Sequence, residues 1–314
     1  MAEAAPLYGT DAAPVPEGAV AEWFSGAGGA RLRAALFPAK GNVRGSVVLS
    51  GGRTEPTEKY FEVIGELTAR GFVVLAHDWR GQGLSQRLLP DRLRGHASGS
   101  GDFVSDYAAL LAAFEPRLPK PWLAVGHSMG GCLTALALAR GERRLVGAVL
   151  SAPMLGLQTT PIPPPLTRLL AGLLTLIGVG GASTPGGDAA SFETNILTHD
   201  PRRYARNVGQ VAAHPDLALG PPTWGWLAFA FSAMGELQRG PGVPKVEVPV
   251  TIVAAGADRI IDNAGTRLVA SRFPNGRYVE APGAFHEVLQ ETDEIRAVFW
   301  REFDALAAKA APAG

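Results

Sequence analysis

A single cysteine, Cys132, occurs in the 314 residues, so no disulfide can form within the chain and a reducing compartment is expected. No Cys and His residues stand at metal-ligand spacing, which leaves no grounds for a metal site. Net charge is missing too, because 29 basic and 29 acidic side chains cancel. No cluster of Lys and Arg breaks that balance locally, and the aromatics are not interleaved with basic residues. Both facts argue against nucleic acid as a partner. No apolar run reaches membrane-spanning length without interruption. The first twenty residues have neither a basic start nor an apolar centre, so they do not read as a secretory signal. A cytoplasmic protein is expected, with peripheral membrane contact left open.

What the chain does have is apolar mass. Hydrophobic residues make up 46% and charged residues 18%, which is enough core for one large domain or a domain with an inserted lid. The segment WLAVGHSMGGCLTALALAR, residues 122–140, organises the rest. Its first part reads as a short buried strand and its second as a helix packed on all sides. Between them lies G-x-S-x-G, in which Ser128 occupies a sharp strand-to-helix turn. A side chain at Gly126 or Gly130 would collide with the neighbouring strand or helix. The turn lifts the Ser128 hydroxyl to a helix N-terminus, where free N–H groups favour a developing anion. Cys132, one turn on in the same apolar helix, reads as a buried core thiol.

Around this segment, strands and helices alternate. Residues 1–22, rich in Ala, Pro and Gly, read as a flexible arm. An edge strand is expected over residues 31–37, then buried strands in GSVVLSGG and FVVLAHDWRG with a helix between them that stops at Gly71. A further helix, the central segment and the strand LVGAVLSAP follow. This pattern predicts an α/β fold with a mostly parallel sheet, helices on both faces, and a site at the carboxyl ends of the strands. The core is expected over residues 23–154 and 242–310. Residues 155–241, rich in Pro, Gly and Trp, break the alternation and read as a helical lid inserted before the next strand. Their apolar stretch, residues 166–180, packs on the core or meets a lipid surface or acyl chain.

A serine hydroxyl needs a base to take its proton, and the base needs an orienting acid. On this architecture the chain order is Ser, acid, His, each just past a strand. Asp258 follows the strand in VPVTIVAAGAD, and His286 follows the strand in GRYVEAPGAFH. Ser128 is therefore assigned as nucleophile, His286 as base and then acid, and Asp258 as orienting carboxylate. Asp262 suits a helix N-cap better than the relay. His127 reads as structural, and Asp78, followed by Arg80, as an ion-paired or loop-fixing residue. One oxyanion donor is the Met129 N–H. The second falls in the loop holding Gly51, Gly52 and Arg53.

These motifs together resemble the α/β-hydrolases of the lysophospholipase and monoacylglycerol-lipase type, also grouped as serine aminopeptidase-like hydrolases. GRTEPTEKYFEVIGELTARGF is similar to the family's oxyanion segment and DWRGQGLS to its D-x-R-G-x-G-x-S loop. GHSMGG matches its elbow, and FHEVLQE is similar to its histidine segment. The resemblance implies an α/β-hydrolase fold and places the second oxyanion donor on the Arg53 backbone N–H. One departure is Gly51-Gly52 where these lipases begin with His-Gly, a change that a backbone donor tolerates. Implied is a serine carboxylic-ester hydrolase that works through an acyl-enzyme on a small lipid-like ester, a lysophospholipid or monoacylglycerol. It needs neither metal nor organic cofactor. Two alternatives stand beside it. An aminopeptidase would need a lid carboxylate for the substrate amine, with Asp188, Glu193 and Glu236 as candidates. A non-catalytic binder of the same fold is the other.

Overall fold

The computed structural model describes residues 3–185 and 191–312. Among them, eight strands form one sheet: β1 (Val20–Ser25), β2 (Arg31–Phe37), β3 (Gly45–Ser50), β4 (Phe72–His77), β5 (Trp122–His127), β6 (Leu145–Ser151), β7 (Val250–Ala255) and β8 (Gly276–Ala281). Their spatial order is β1-β2-β4-β3-β5-β6-β7-β8. The pairs β1–β2 and β2–β4 are antiparallel, and all the others are parallel. The central strands β3, β5 and β7 are buried at every position, as strands covered on both faces must be.

The two-residue strand period sorts these side chains into two cores. Val47 and Leu49 of β3 and Leu123 and Val125 of β5 face α1 (Phe61–Ala69) and, at the end of the chain, α8 (Asp293–Ala310). Val48 and Ala124 face the opposite core. That core is covered by α2 (Ser100–Phe114), α3 (Met129–Ala139) and α7 (Asn263–Ala270). Helix α3 is buried from Met129 through Leu138, in keeping with its unbroken apolar sequence, and Cys132 lies inside it. Burial pushes the Cys132 thiol well above its ordinary pKa. Asp262 accepts the Ala264 N–H at 2.9 Å and so caps α7.

Two expectations are corrected at the start of the chain. Residues 31–37 are not the sheet edge, because β1 pairs with Arg31 through Leu36. Nor are residues 3–22 a flexible arm. Val20–Glu22 belong to β1, and residues ahead of them are fastened to the body. Ala5 N–H donates to Ala21 O, and Trp23 N–H to Glu3 O, both at 2.9 Å. Arg33 Nη1 donates to the Pro6 carbonyl at 3.0 Å. The edge was concealed because its buried face includes Glu22, which is paired with Arg117.

Between β6 and β7 the chain leaves the sheet. This segment holds α4 (Pro164–Leu176), α5 (Pro201–Ala213) and α6 (Trp224–Arg239). Helix α6 joins the core through Phe229, Ala230, Ala233 and Leu237. Helix α5 holds the N-terminal segment: the Tyr8 ring stacks on His214, centroids 4.4 Å apart, and Gln210 Nε2 donates to Tyr8 O. Helix α4 differs, with only Thr167 and Ala171 buried. Its Leu169, Leu173 and Leu176 are 68%, 52% and 84% exposed. A groove of about 780 Å³ lies between α4 and α6, lined by Leu169, Leu173, Phe231 and Met234. No described helix is long and apolar enough to cross a membrane.

Candidate active site

The turn after β5 is built on steric necessity. A Cβ at Gly126 would lie 2.8 Å from Gly131 Cα, and one at Gly130 would lie 2.3 Å from Ser50 O and 2.4 Å from Gly51 O. These are backbone atoms that no rotamer change can move. Ser128, at the apex, has φ 50° and ψ −117°, outside the regions open to L-residues without strain. Its N–H donates to Ser151 O, and its carbonyl accepts from Cys132 N–H and Met154 N–H, which lock the conformation.

Three residues from three strand ends meet here. Ser128 Oγ lies 3.0 Å from His286 Nε2, and His286 Nδ1 lies 2.8 Å from Asp258 Oδ2. The other Asp258 oxygen accepts the N–H groups of Ile260 and Ile261 at 2.8 and 2.9 Å. Gln158 Nε2 holds the same turn through the carbonyls of Asp258 and Ile261. Burial opposes charge on the His286 ring. The Asp258 carboxylate outweighs it by hydrogen bond and charge, and with Glu287 and Glu55 raises the imidazole above its usual value. Burial also opposes charge on Asp258, yet His286 and the two backbone donors hold its carboxyl below the ordinary range.

The loop after β3 lies against the nucleophile, since a Cβ on Gly52 would come 3.0 Å from Ser128 Cβ. The Gly52 N–H is already engaged, donating to Glu55 Oε2 at 2.5 Å. Among the described residues, no hydrogen bond uses the N–H of Arg53 or of Met129. Both groups are therefore open to an acceptor on a bound molecule. Trp79 Nε1 donates to Gly51 O, and Gln82 Oε1 accepts the Thr54 N–H, so the D-x-R-G-x-G-x-S loop braces the oxyanion loop.

A buried charged network under this loop escaped the sequence reading. Lys59 Nζ bridges Glu55 Oε1 at 2.7 Å and Glu287 Oε1 at 2.5 Å. The Tyr60 hydroxyl donates to Glu55 Oε2 at 2.5 Å. Burial disfavours charge on Glu55, but Lys59, with His127 and Tyr60, outweighs it and holds the carboxyl down at about 2. Burial, reinforced by the Glu55 charge, pushes Glu287 the other way. The network runs from the Gly52 N–H to the residue beside His286, so it ties the oxyanion loop to the base. The Glu55-to-Lys59 spacing in the sequence is its one local signal; the Glu287 partner is 228 positions away.

The other candidates fall into place. His127 Nδ1 lies 3.1 Å from Ser151 O, and its ring packs 4.9 Å from that of His286. Burial lowers its pKa to about 4, so it is neutral. Asp78 pairs with Arg33, 45 residues away, rather than with Arg80, and it fixes its loop through Leu84 N–H and Thr57 N–H. Arg80 pairs with Asp106 and Asp102. Of the lid carboxylates, Glu236 is paired with Arg140 and Glu193 is exposed, while Asp188 lies outside the described residues.

Comparison with known proteins gives a consistent picture. Residues 41–293 match the family described as Serine aminopeptidase, S33. The chain is 32% identical over 294 residues to Lysophospholipase L2 of Escherichia coli, covering 88% of this chain and 83% of that protein. It is 28% identical to Monoacylglycerol lipase of Mycolicibacterium smegmatis, over 86% and 91% of the two chains. The crystal structure of a soluble variant of monoglyceride lipase from Saccharomyces cerevisiae superposes with a TM-score of 0.75 at 21% identity. It covers 96% of this chain and 98% of that one, which shows a shared fold.

Proposed function

The chain belongs to the serine aminopeptidase S33 family of hydrolases, and from that premise we propose that Ser128, His286 and Asp258 hydrolyse carboxylic esters of lipids, lysophospholipids or monoacylglycerols, through an acyl-enzyme. The observation that carries the mechanism is the hydrogen-bonded relay from a strained serine through a buried imidazole to a carboxylate. Ser128 Oγ attacks the acyl carbonyl carbon while His286 Nε2 takes its proton. Asp258 holds the ring in place and stabilises the imidazolium. The carbonyl oxygen becomes an oxyanion beside the N–H groups of Met129 and Arg53, and each such donor contributes about 3–4 kcal/mol. Collapse expels the alcohol, which takes the proton back from His286. Water then repeats the sequence on the acyl-enzyme.

The exposed leucines of α4 support contact of the lid with a lipid surface, and the neighbouring apolar groove supports an acyl chain as cargo. Among the described residues of the lid, Asp200, Asp216 and Glu236 are ion-paired and Glu193 is exposed, which lends the aminopeptidase reading no support. The test is a panel of p-nitrophenyl esters from acetate to palmitate, with lysophosphatidylcholine, monoacylglycerol and an aminoacyl-nitroanilide. The lipids are presented both as monomers and in vesicles. Cleavage of medium or long esters, faster from vesicles, is expected. Nitroanilide cleavage without ester cleavage would overturn the reading.

The pH dependence follows from His286. Only the neutral ring accepts the serine proton, and its pKa is raised above the usual 6.5. Activity is therefore lost as pH falls through a midpoint above 6.5 and is full on the alkaline side. A profile of kcat/KM, which reports groups of the free enzyme, checks this. A midpoint below 6.5 would mean that Asp258 and its neighbours do not act on the base as the geometry requires.

A further inference from the structure

Arg53 brings a positive charge to the site that nothing in the relay uses. Its Nη2 donates to the Gly220 carbonyl, a neutral group in the segment leading into α6. Its Nε is closed off from solvent and makes no hydrogen bond. The guanidinium carbon stands 5.5 Å from the Trp226 ring centroid, and a Cβ on Gly95 would come 2.4 Å from Nη2. Among the described residues, no carboxylate lies within ion-pair distance. Burial, the one influence acting on the group, lowers its pKa to about 10, which still leaves it charged at neutral pH.

The chain treats its buried arginines differently. Arg33 faces Glu58 and Asp78, Arg80 faces Asp106, and Arg203 faces Glu62 and Asp200. Arg87 has no carboxylate at bonding distance, but the carbonyls of Gly81, Gly83 and Ala218 hold its guanidinium. Arg53 has one carbonyl for five N–H donors. A half-buried cation with a buried, unpartnered Nε and no carboxylate facing it has capacity left for an anion.

We propose that the Arg53 guanidinium is the subsite for the phosphate of a lysophospholipid whose acyl ester sits at Ser128. This rests on the ester-hydrolase reading above and narrows it. The same residue supplies both ends of the match: its backbone N–H faces the ester oxygen, and its side chain reaches away toward the lid. In a lysophospholipid the glycerol carries the phosphate a few single bonds beyond the ester carbonyl, about the reach of an arginine side chain from its own backbone. Guanidinium and phosphate form charge-assisted, fork-shaped pairs. A monoacylglycerol presents a hydroxyl at that point, which accepts a hydrogen bond but does not neutralise the charge. Of the two candidate substrates, the phosphate-bearing one is favoured.

The experiment compares kcat/KM for 1-lauroyl-lysophosphatidylcholine and 1-lauroylglycerol, below their aggregation limits, in wild type, Arg53→Gln and Arg53→Lys. All three keep the backbone donor. Arg53→Gln is expected to lower the ratio of the two values by about tenfold or more, through KM for the phospholipid, with Arg53→Lys recovering part of it. Equal losses on both substrates would reduce Arg53 to a strut under the lid and overturn the proposal. Wild-type cleavage of the monoacylglycerol alone would also overturn it and leave the ester-hydrolase reading standing. Cleavage of neither would remove both. Should the variants fail to fold, wild-type hydrolysis of 1-lauroylglycerol is measured with added glycerol 3-phosphate and with inorganic phosphate. Competitive inhibition by glycerol 3-phosphate, stronger than by inorganic phosphate and absent with glycerol, is expected. No inhibition by either phosphate would overturn the proposal.

Discussion

Ser128→Ala lowers ester turnover by about 10⁵–10⁶-fold and leaves the fold in place. The magnitude follows from how the relay works. In the proposed mechanism His286 and Asp258 act only through the hydroxyl, so removing Oγ would silence all three at once. What remains is binding and the two backbone donors. The variant also separates mechanism from contamination, because a trace esterase would keep its activity. Initial rates on the preferred ester, with fluorophosphonate labelling of both proteins, check the result. Turnover within tenfold of wild type would remove Ser128 from the chemistry. Thermal melting adds a second reading. Alanine at φ 50° carries the same backbone strain as serine, whereas Ser128→Gly relieves it. The glycine variant should melt above the alanine one although both are inactive. That order would show stability given up to aim a nucleophile.

Lys59→Met destabilises the fold by about 3–5 kcal/mol, the usual consequence of removing one partner from a buried charge cluster. Two carboxylates, Glu55 and Glu287, would face each other in the core with no cation between them. The loss should not stop at stability. Glu55 holds the Gly52 N–H, and Gly52 lies against Ser128 and immediately precedes Arg53. A loosened Glu55 lets the oxyanion donor drift, so kcat falls by up to about 100-fold, bounded by the worth of one donor. The triple variant Lys59→Met, Glu55→Gln, Glu287→Gln neutralises the site and should regain most of the stability. It should regain less of the rate, because an amide holds Gly52 more weakly than a carboxylate does. Urea unfolding and kcat measured on the same preparations distinguish the two effects. A single variant as stable as wild type would mean that water reaches the network freely.

What could be read from the sequence follows the range of the physical causes. The turn around Ser128 was legible because its glycines answer to a local steric demand that any chain making the turn must meet. Asp258 and His286 were legible because a parallel sheet delivers its strand ends to one side, so order and spacing stand in for geometry. The lysine bridging Glu55 and Glu287 was illegible, since a pair 228 residues apart leaves no periodic trace. Asp78 shows the same limit: its neighbour Arg80 looked like the partner, while the true one, Arg33, sits on a strand that precedes it by 45 positions. The first strand was missed for a compositional reason. Ala, Pro and Gly around it resemble a linker, and a buried glutamate broke the alternation that would have exposed it.

The segment ahead of that strand has a practical consequence. Between the bridge to β1 and the stack on His214, residues 3–10 touch both the sheet and helix α5. They strap the sheet to that helix. An affinity tag placed there, or a trim meant to tidy a ragged end, disturbs the contacts that join the two. Preparations that differ only at the amino terminus thus differ in how α5 is anchored, and their melting temperatures should not be pooled.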